Sequence, residues 1–180
     1  MRAIPTDPRR LAAGLMRRLG AATQVHFSYP LKVAHQWFRV PVIDGVGAQH
    51  VASYEPWMSS ILKVLLDAAP NSMFVDVGAN VGQTLLKVRG EYPNVPYVAF
   101  EPNPHCVHYL HELIRANPTL RDVVLYPVGL ADRVQMLPLI VEYDTDGQGT
   151  IVADFREADD KKLQMLVAVV DIPCVQHFTA

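Results

Sequence analysis

Residues 74–83 read Phe-Val-Asp-Val-Gly-Ala-Asn-Val-Gly-Gln, and this stretch decides the fold. It overlaps Met73–Val77, a short and mostly apolar run that is typical of a buried strand. Gly78 and Gly82 lack side chains where the backbone has to turn sharply and where a ligand has to come close. The helix predicted after the turn presents unpaired N–H groups above the carboxyl end of the strand. In open α/β sheets this crevice is where ligands bind.

The segments around this stretch alternate between helix and strand, with proline and asparagine at the breaks. The alternation predicts right-handed βαβ units, and therefore an α/β fold with a parallel sheet and helices on both faces. The predicted elements are a helix from Pro56 that ends before Pro70-Asn71, the strand Met73–Val77, a helix near Thr84–Arg89, the strand Tyr97–Phe100, a helix capped by Asn103 and stopped by Asn117-Pro118, the strand Val123–Val128, and two later strands at Val134–Tyr143 and Met165–Ile172 that are joined by the acidic stretch Asp144–Lys162.

The N-terminal third lacks this alternation, so we divide the chain into residues 1–53 and a domain over 54–180. Residues 1–25 are predicted to form an arm, either a solvated helix or a frayed terminus. Its arginines and leucines have the spacing of an amphipathic helix. Because its apolar stretch is short and interrupted by charge, we do not expect it to bind a membrane. Residues 26–55 are predicted to be irregular because prolines and glycines interrupt them.

The overall composition limits the classes of function. The 180 residues are 50% hydrophobic and 19% charged, which suits one domain with a real core. A net charge of -2 lacks the basic excess that is typical of nucleic-acid binding. Cys106 and Cys174 are read as free thiols in a reducing cytoplasm. Since no apolar run approaches the length of about 18 residues that spans a membrane, we expect a cytoplasmic protein.

The turn departs from the dinucleotide fingerprint G-x-G-x-x-G, because it reads Gly78-x-Asn80-x-Gly82. The Asn80 side chain would hinder close approach of a pyrophosphate. Asp76 places a carboxylate at the end of the strand, and this charge repels a pyrophosphate but tolerates the amino group of a cationic ligand. These residues therefore favour S-adenosylmethionine over NAD.

Glu101 ends the second predicted strand, 19 positions after Gly82. A carboxylate there can accept hydrogen bonds from both ribose hydroxyls of a nucleoside. Because NAD and S-adenosylmethionine proteins share this feature, Glu101 indicates an adenosine ribose rather than one cofactor. The third strand leads into Gly129, which is expected near the adenine. Asp132 is either a second residue near the adenine or a surface turn residue.

The segments Phe-Val-Asp-Val-Gly-Ala-Asn-Val-Gly-Gln, Ala-Phe-Glu-Pro-Asn-Pro and Val-Gly-Leu-Ala-Asp resemble successive motifs of the FkbM-type methyltransferases over about residues 54–135. The resemblance implies a Rossmann-like class I sheet and methyl transfer from S-adenosylmethionine, commonly to a hydroxyl oxygen of a sugar or natural-product scaffold. It also implies that the turn surrounds the methionine part and that Glu101 holds the ribose. The predicted cofactor-binding residues are Asp76, Gly78, Ala79, Asn80, Gly82, Gln83, Glu101, Pro102, Asn103 and Gly129.

The chain departs from the family after the third strand. Family members continue to a fourth strand that ends in an acidic run of the type Asp-x-Glu-Gly, and no such run occurs here. We therefore expect an incomplete sheet that exposes an edge and an apolar face and self-associates. A non-catalytic module that binds cofactor or a partner is the alternative function, and an NAD-dependent oxidoreductase is a third hypothesis. No residue is assigned as a general base, and the acceptor is expected to be a small molecule or glycan.

Two further features have competing interpretations. Glu55 could reach the amino group of the cofactor or could only begin a helix. His105, His108 and His111 recur at a spacing of three, which could form a metal site. We interpret them as a solvated helix face because no obvious ligand pattern accompanies them, and we predict no metal.

Overall fold

The computed structural model describes residues 8–23, 26–52, 56–142, 149–150 and 162–171. Helices and strands alternate along much of this chain, so the α/β class predicted from the sequence is confirmed. The helices are α1 (Pro8–Thr23), α2 (Pro56–Ala68), α3 (Gln83–Glu91) and α4 (Pro104–Ala116), with short 3-10 helices at Ala48–Ala52 and Pro118–Leu120. The strands are β1 (Phe27–Val33), β2 (Gln36–Val42), β3 (Phe74–Val77), β4 (Tyr97–Phe100), β5 (Val124–Tyr126), β6 (Gly129–Ala131), β7 (Gln135–Glu142), β8 (Gly149–Thr150) and β9 (Lys162–Asp171).

The central sheet consists of three parallel strands in the order β3-β4-β5. Val77 at the end of β3 lies opposite Phe100 at the end of β4, and Phe100 lies opposite Tyr126 at the end of β5. The carboxyl ends of all three strands therefore meet at one edge. The predicted parallel arrangement is confirmed, although the third strand ends at Tyr126 rather than at Val128.

A second sheet has the order β6-β9-β7-β8. β7 pairs along its full length with β9 in antiparallel fashion, from Gln135 opposite Val169 to Glu142 opposite Lys162. Both strands were predicted, and β9 begins three residues earlier than its predicted start at Met165. β6 pairs with β9 in parallel, which links the end of the central sheet to this ribbon.

The helices α2, α3 and α4 pack on one face of the central sheet and share a single buried core with it. The buried members of this core include Leu62, Leu66, Leu85, Leu86, Val88, Tyr97, Ala99, Tyr109, Leu110 and Leu113. Strand alternation sends Val75 and Val77 to the opposite face, where they are 44% and 59% exposed. Val124 is 43% exposed there as well. Within the described ranges the prediction of helices on both faces is therefore wrong, because α2–α4 cover only one of them.

The segment predicted to be irregular forms a hairpin instead. β1 pairs with β2 in antiparallel fashion from Phe27 opposite Val42 to Val33 opposite Gln36. In a two-stranded sheet both strands are edges, and an edge strand tolerates proline because the lost N–H need not pair. Pro30 and Pro41 are therefore compatible with strands here. β2 buries Phe38 and Val40 in the core that the helices share, while the chain division at residue 53 stays a prediction.

The arm contains helix α1, which packs along the 3-10 helix Ala48–Ala52 and buries Ala13. Among the described residues, no helix combines the length and the hydropathy needed to cross a bilayer. Glu55, Cys174 and most of the acidic stretch after β7 lie outside the described residues.

Candidate functional site

The turn between β3 and α3 wraps over the carboxyl end of β4. Gly78, Asn80 and Gly82 have φ values of 81°, 51° and 80°, all in the left-handed region. The N–H groups of Gly78 and Ala79 both donate to the Phe100 carbonyl, at 2.8 and 3.1 Å. The turn is therefore anchored to the strand whose end carries the predicted ribose-binding acid.

Glu101 connects this turn to the start of α4. Its Oε2 accepts a hydrogen bond of 2.7 Å from the Asn80 N–H, and its Oε1 accepts one of 2.8 Å from the Asn103 N–H. The residue is 6% exposed. Each carboxylate oxygen has two acceptor positions, so each can still accept one hydrogen bond from a ligand.

The pKa of Glu101 reflects this environment. Burial raises its pKa, the two backbone N–H groups lower it, and the nearby Asp76 carboxylate raises it further, so that the pKa lies above its usual range. A carboxylate in such a setting gains from a ligand that donates hydrogen bonds or carries positive charge.

The N-terminus of α4 is fixed as predicted. The Asn103 side chain caps the helix by accepting a 3.0 Å hydrogen bond from the His105 N–H. The Asn80 side-chain oxygen accepts from the Cys106 thiol at 3.5 Å. The second contact ties the turn to α4, so that both flank Glu101 at the wall of the cleft.

An open cleft of about 250 Å³ lies over these groups. Glu101 supplies its charge, whereas Val77, Phe100, Leu130 and Leu139 supply apolar surface. The arrangement suits a ligand that has both a flat apolar ring and hydroxyl groups. Six of the ten predicted cofactor-binding residues line this cleft: Gly78, Asn80, Glu101, Pro102, Asn103 and Gly129.

The four other predicted residues, Asp76, Ala79, Gly82 and Gln83, are not among the residues that line the cleft. Asp76 accepts a 2.5 Å hydrogen bond from the Tyr97 hydroxyl. Burial raises the pKa of Asp76 and the bond from Tyr97 lowers it, with burial the larger effect. This hydrogen bond already occupies one of the two Asp76 carboxylate oxygens. A direct contact between Asp76 and a ligand amino group stays a prediction.

Gly78 and Gly82 differ in their surroundings. A Cβ atom on Gly82 would lie 2.9 Å from Leu110 Cδ2 and 3.0 Å from Leu113 Cδ2, both on α4. A Cβ atom on Gly78 would meet no atom within 4 Å. Gly82 therefore permits close packing of the turn against α4, while Gly78 keeps the cleft open.

The apolar wall of the cleft was not predicted from the sequence. Val77 and Phe100 end the strands that carry Asp76 and precede Glu101, so the rule that found the acids could also have found them. Leu139 comes from the middle of β7, and only the path of the chain after β6 brings it to the cleft. No local signal in the sequence marks it.

Two other predictions concern surface residues. Asp132 is exposed in the turn after β6, which agrees with its interpretation as a surface turn residue. His105, His108 and His111 are all exposed on α4. Within the described residues, no group of three His, Cys, Asp or Glu side chains could hold a metal ion.

A crevice at the carboxyl ends of parallel strands, with an acid at the end of the second strand, is the arrangement of nucleoside-binding α/β proteins. Comparison with known proteins relates part of the chain to a methyltransferase. The chain is 33% identical over 84 residues to methyltransferase sdnD of Sordaria araneosa, covering 47% of this chain and 32% of that protein. It is 26% identical over 83 residues to cyclosporin synthetase simA of Tolypocladium inflatum, covering 46% of this chain and, after rounding, 0% of that protein.

The chain therefore spans about a third of the length of sdnD and a very small part of the synthetase. No family model matches the chain. No solved structure matches it either.

Proposed function

We propose that this chain carries the cofactor site of an S-adenosylmethionine-dependent methyltransferase with a Rossmann-like sheet of the FkbM type. The observation that carries the proposal is Glu101, whose two carboxylate oxygens face the cleft between the turn and α4 and keep free acceptor positions. The similarity to methyltransferase sdnD supports methyl transfer as the chemistry.

The cleft residues fit the parts of this cofactor. Glu101 would accept hydrogen bonds from the ribose hydroxyls, and the apolar surface of Phe100, Leu130 and Leu139 would contact the adenine. The space beside Gly78 admits a ligand next to the turn. When bound, S-adenosylmethionine supplies an electrophilic methyl group on a positively charged sulfur. The carboxylates of Glu101 and Asp76 give the site a negative potential that favours such a cation.

The hydrogen bonds of the turn argue against a dinucleotide. Rossmann sites use backbone N–H groups of the glycine turn to bind pyrophosphate. Here the N–H groups of Gly78 and Ala79 donate to the Phe100 carbonyl, and that of Asn80 donates to Glu101. A pyrophosphate would have to displace these bonds and would lie beside a carboxylate. A cofactor without phosphates avoids both costs.

For the acceptor we propose a hydroxyl oxygen of a sugar or a small natural-product-like molecule, on the strength of the motif resemblance. The described residues contribute by binding and orienting the cofactor, and positioning of this kind can supply much of the rate enhancement in a transfer reaction. The cytoplasm is the proposed compartment. It is supported by Cys106, a buried residue whose thiol donates to the Asn80 side chain.

Thermal unfolding of the purified chain tests the proposal, with S-adenosylmethionine, S-adenosylhomocysteine and NAD as ligands. A ligand at about 100 times its dissociation constant stabilises the folded state by about 2.7 kcal/mol. We expect stabilisation by both sulfur nucleosides and none by NAD. Glu101→Gln should abolish the shift, whereas the matched control Glu112→Gln, at a half-exposed position of α4 outside the cleft, should retain it.

The other outcomes separate the alternatives. Stabilisation by NAD alone would favour the oxidoreductase. Stabilisation by the sulfur nucleosides without methyl transfer to any sugar or natural-product acceptor would favour the non-catalytic module. A cooperative transition that none of the three ligands shifts would contradict the cofactor site itself.

A further inference from the structure

A second cavity lies between the β1–β2 hairpin, α2 and α3. Its volume is about 170 Å³, and it is more enclosed than the cleft over Glu101. The two spaces share none of the described residues that line them. Pockets for drug-sized ligands occupy about 300–1,000 Å³. The second cavity therefore suits a smaller molecule.

His50, on the 3-10 helix Ala48–Ala52, lines this cavity. The residue is 4% exposed, and its Nε2 has no hydrogen-bond partner among the described residues. The Val81 backbone pairs with the ring, and the Tyr109 ring stacks on it with 6.0 Å between the centroids, so neither residue satisfies Nε2. Most buried polar atoms in folded proteins have a partner in the protein or in ordered water. The unpaired nitrogen therefore points to a partner that comes from the cavity.

The protonation state of His50 defines what that partner has to be. Burial lowers its pKa to about 4, so the ring is neutral near pH 7. Since Nε2 is unpaired, Nδ1 is the nitrogen that donates to the Val81 carbonyl. A neutral imidazole that donates from one nitrogen accepts at the other. Nε2 therefore needs a hydrogen-bond donor. An ammonium group would be repelled by Lys87, whose charge acts on the same ring, which leaves an uncharged donor such as a hydroxyl group.

The rest of the lining supplies donors, acceptors and apolar surface. Ser59 and Lys63 of α2 can donate, and Glu91 of α3 can accept, with 3.6 Å between Lys63 Nζ and Glu91 Oε1. Leu62 and Val88 line the same space and are buried. A saturated ring with hydroxyl groups at its rim and C–H groups on its faces can use all three kinds of surface.

We propose that this cavity binds a neutral polyhydroxylated molecule of about the size of a monosaccharide, with one of its hydroxyl groups donating to His50 Nε2. An anion is the competing occupant, because lysines line the cavity. However, Lys63 already contacts Asp67 and Glu91 at 3.4 and 3.6 Å. An anion would lie beside the Glu91 carboxylate and would present an acceptor to an acceptor at Nε2. The proposal does not depend on the cofactor proposed for the other cleft.

Isothermal titration calorimetry of the full chain without cofactor tests the proposal, with glucose, galactose, mannose and myo-inositol as probes. We expect at least one of them to bind with a dissociation constant of about 1 mM or below. Ser59→Tyr extends a ring into the cavity from an exposed position and should weaken this binding at least about tenfold. The matched control Ser60→Tyr, at the next exposed position of α2, is not at a residue that lines the cavity and should bind like the unmodified chain.

His50→Asn tests the nitrogen itself. The shorter amide can still donate to the Val81 carbonyl, but it offers no acceptor at the position of Nε2, so binding should weaken by about tenfold. If this variant does not fold, the comparison of Ser59→Tyr with Ser60→Tyr decides. A folded chain that binds none of the four compounds would overturn the proposal and leave water as the occupant. Full binding by folded His50→Asn or by Ser59→Tyr, or tighter binding of inorganic phosphate than of all four compounds, would overturn it as well.

Discussion

Two glycines of one turn, Gly78 and Gly82, share positive φ values but should respond differently to substitution. A methyl group on Gly82 would press against Leu110 and Leu113, in addition to the strain of a left-handed residue. We expect Gly82→Ala to lower the free energy of unfolding by about 3 kcal/mol, the sum of strain and overpacking. Urea denaturation measures this change.

Gly78→Ala is the matched comparison, because it imposes similar backbone strain in open space. It should destabilise the protein by only about 1–2 kcal/mol. The added methyl group would occupy the space beside the turn and weaken the stabilisation by S-adenosylmethionine. Equal losses of stability in the two variants would contradict the packing role of Gly82.

His50 should make stability depend on pH. It is 4% exposed, and its Nε2 has no hydrogen-bond partner among the described residues. Burial and, to a smaller extent, the charge of Lys87 outweigh a hydrogen bond with the Val81 backbone and lower its pKa to about 4. In the unfolded chain the pKa of histidine is about 6.5. Between these values the unfolded chain takes up a proton that the folded chain excludes.

Stability should therefore be fully present above about pH 6.5 and fall as the pH drops toward 4, by about 3 kcal/mol in total. The measurement is the free energy of unfolding at about pH 7 and about pH 4.5, for the unmodified chain and for His50→Gln. The variant cannot titrate at this position, so its loss over the same interval should be smaller by about 2–3 kcal/mol. Identical pH profiles would show that His50 is not a buried neutral residue.

At the scale of elements, Asn117 fastens the hairpin to α4. Its Oδ1 accepts from the Arg39 N–H at 2.7 Å, and its Nδ2 donates to the carbonyls of Arg39 and Leu113 at 2.9 and 2.7 Å. Asn117→Ala should lower the free energy of unfolding by about 3 kcal/mol, since three hydrogen bonds are lost at a buried position. Asn94→Ala, at an exposed loop position, should change it by less than about 0.5 kcal/mol. A small effect at both positions would mean that the hairpin is held by its apolar contacts alone.

The ends of α4 could be predicted from the sequence, whereas the hairpin could not. Local signals set the ends of α4, where Asn103 and Pro104 begin the helix and Asn117 and Pro118 stop it, and these were found. The hairpin was missed because its prolines resemble strand breakers. Its position depends on the Asn117 bridge to Arg39, across 78 positions of the chain. Long-range contacts of this kind leave no local pattern.

In the candidate site, too, some residues could be predicted from the sequence and others could not. Glu101 could be located because strand ends and glycine turns have local signatures. The direction of the Asp76 side chain could not, because it is set by the Tyr97 hydroxyl on the neighbouring strand. Leu139 was beyond prediction for a similar reason, since a separate sheet delivers it to the cleft.

At the scale of the whole molecule, the face of the central sheet opposite α2–α4 has consequences for assembly, because its outer strands are exposed there. Val75, Val98 and Val124 lie in register across β3, β4 and β5. Val98 at the centre is buried, whereas the outer two are 44% and 43% exposed. Among the described strands, β3 pairs only with β4, so its other edge is open. An open edge beside an apolar face is a template for pairing with another chain.

We therefore expect the chain to self-associate, and sedimentation velocity over a range of concentrations should show species larger than a monomer. Val75→Lys/Val124→Lys should shift the distribution toward monomer, because two charges would have to be buried for the sheet faces to meet. The matched control Val134→Lys, at a residue that is 63% exposed before β7, should leave the distribution unchanged. If the unmodified chain sediments as a single monomeric species and melts cooperatively, the prediction of self-association is wrong, and the exposed valines of β3 and β5 do not drive association. The three-stranded sheet would then be stable without a partner on this face.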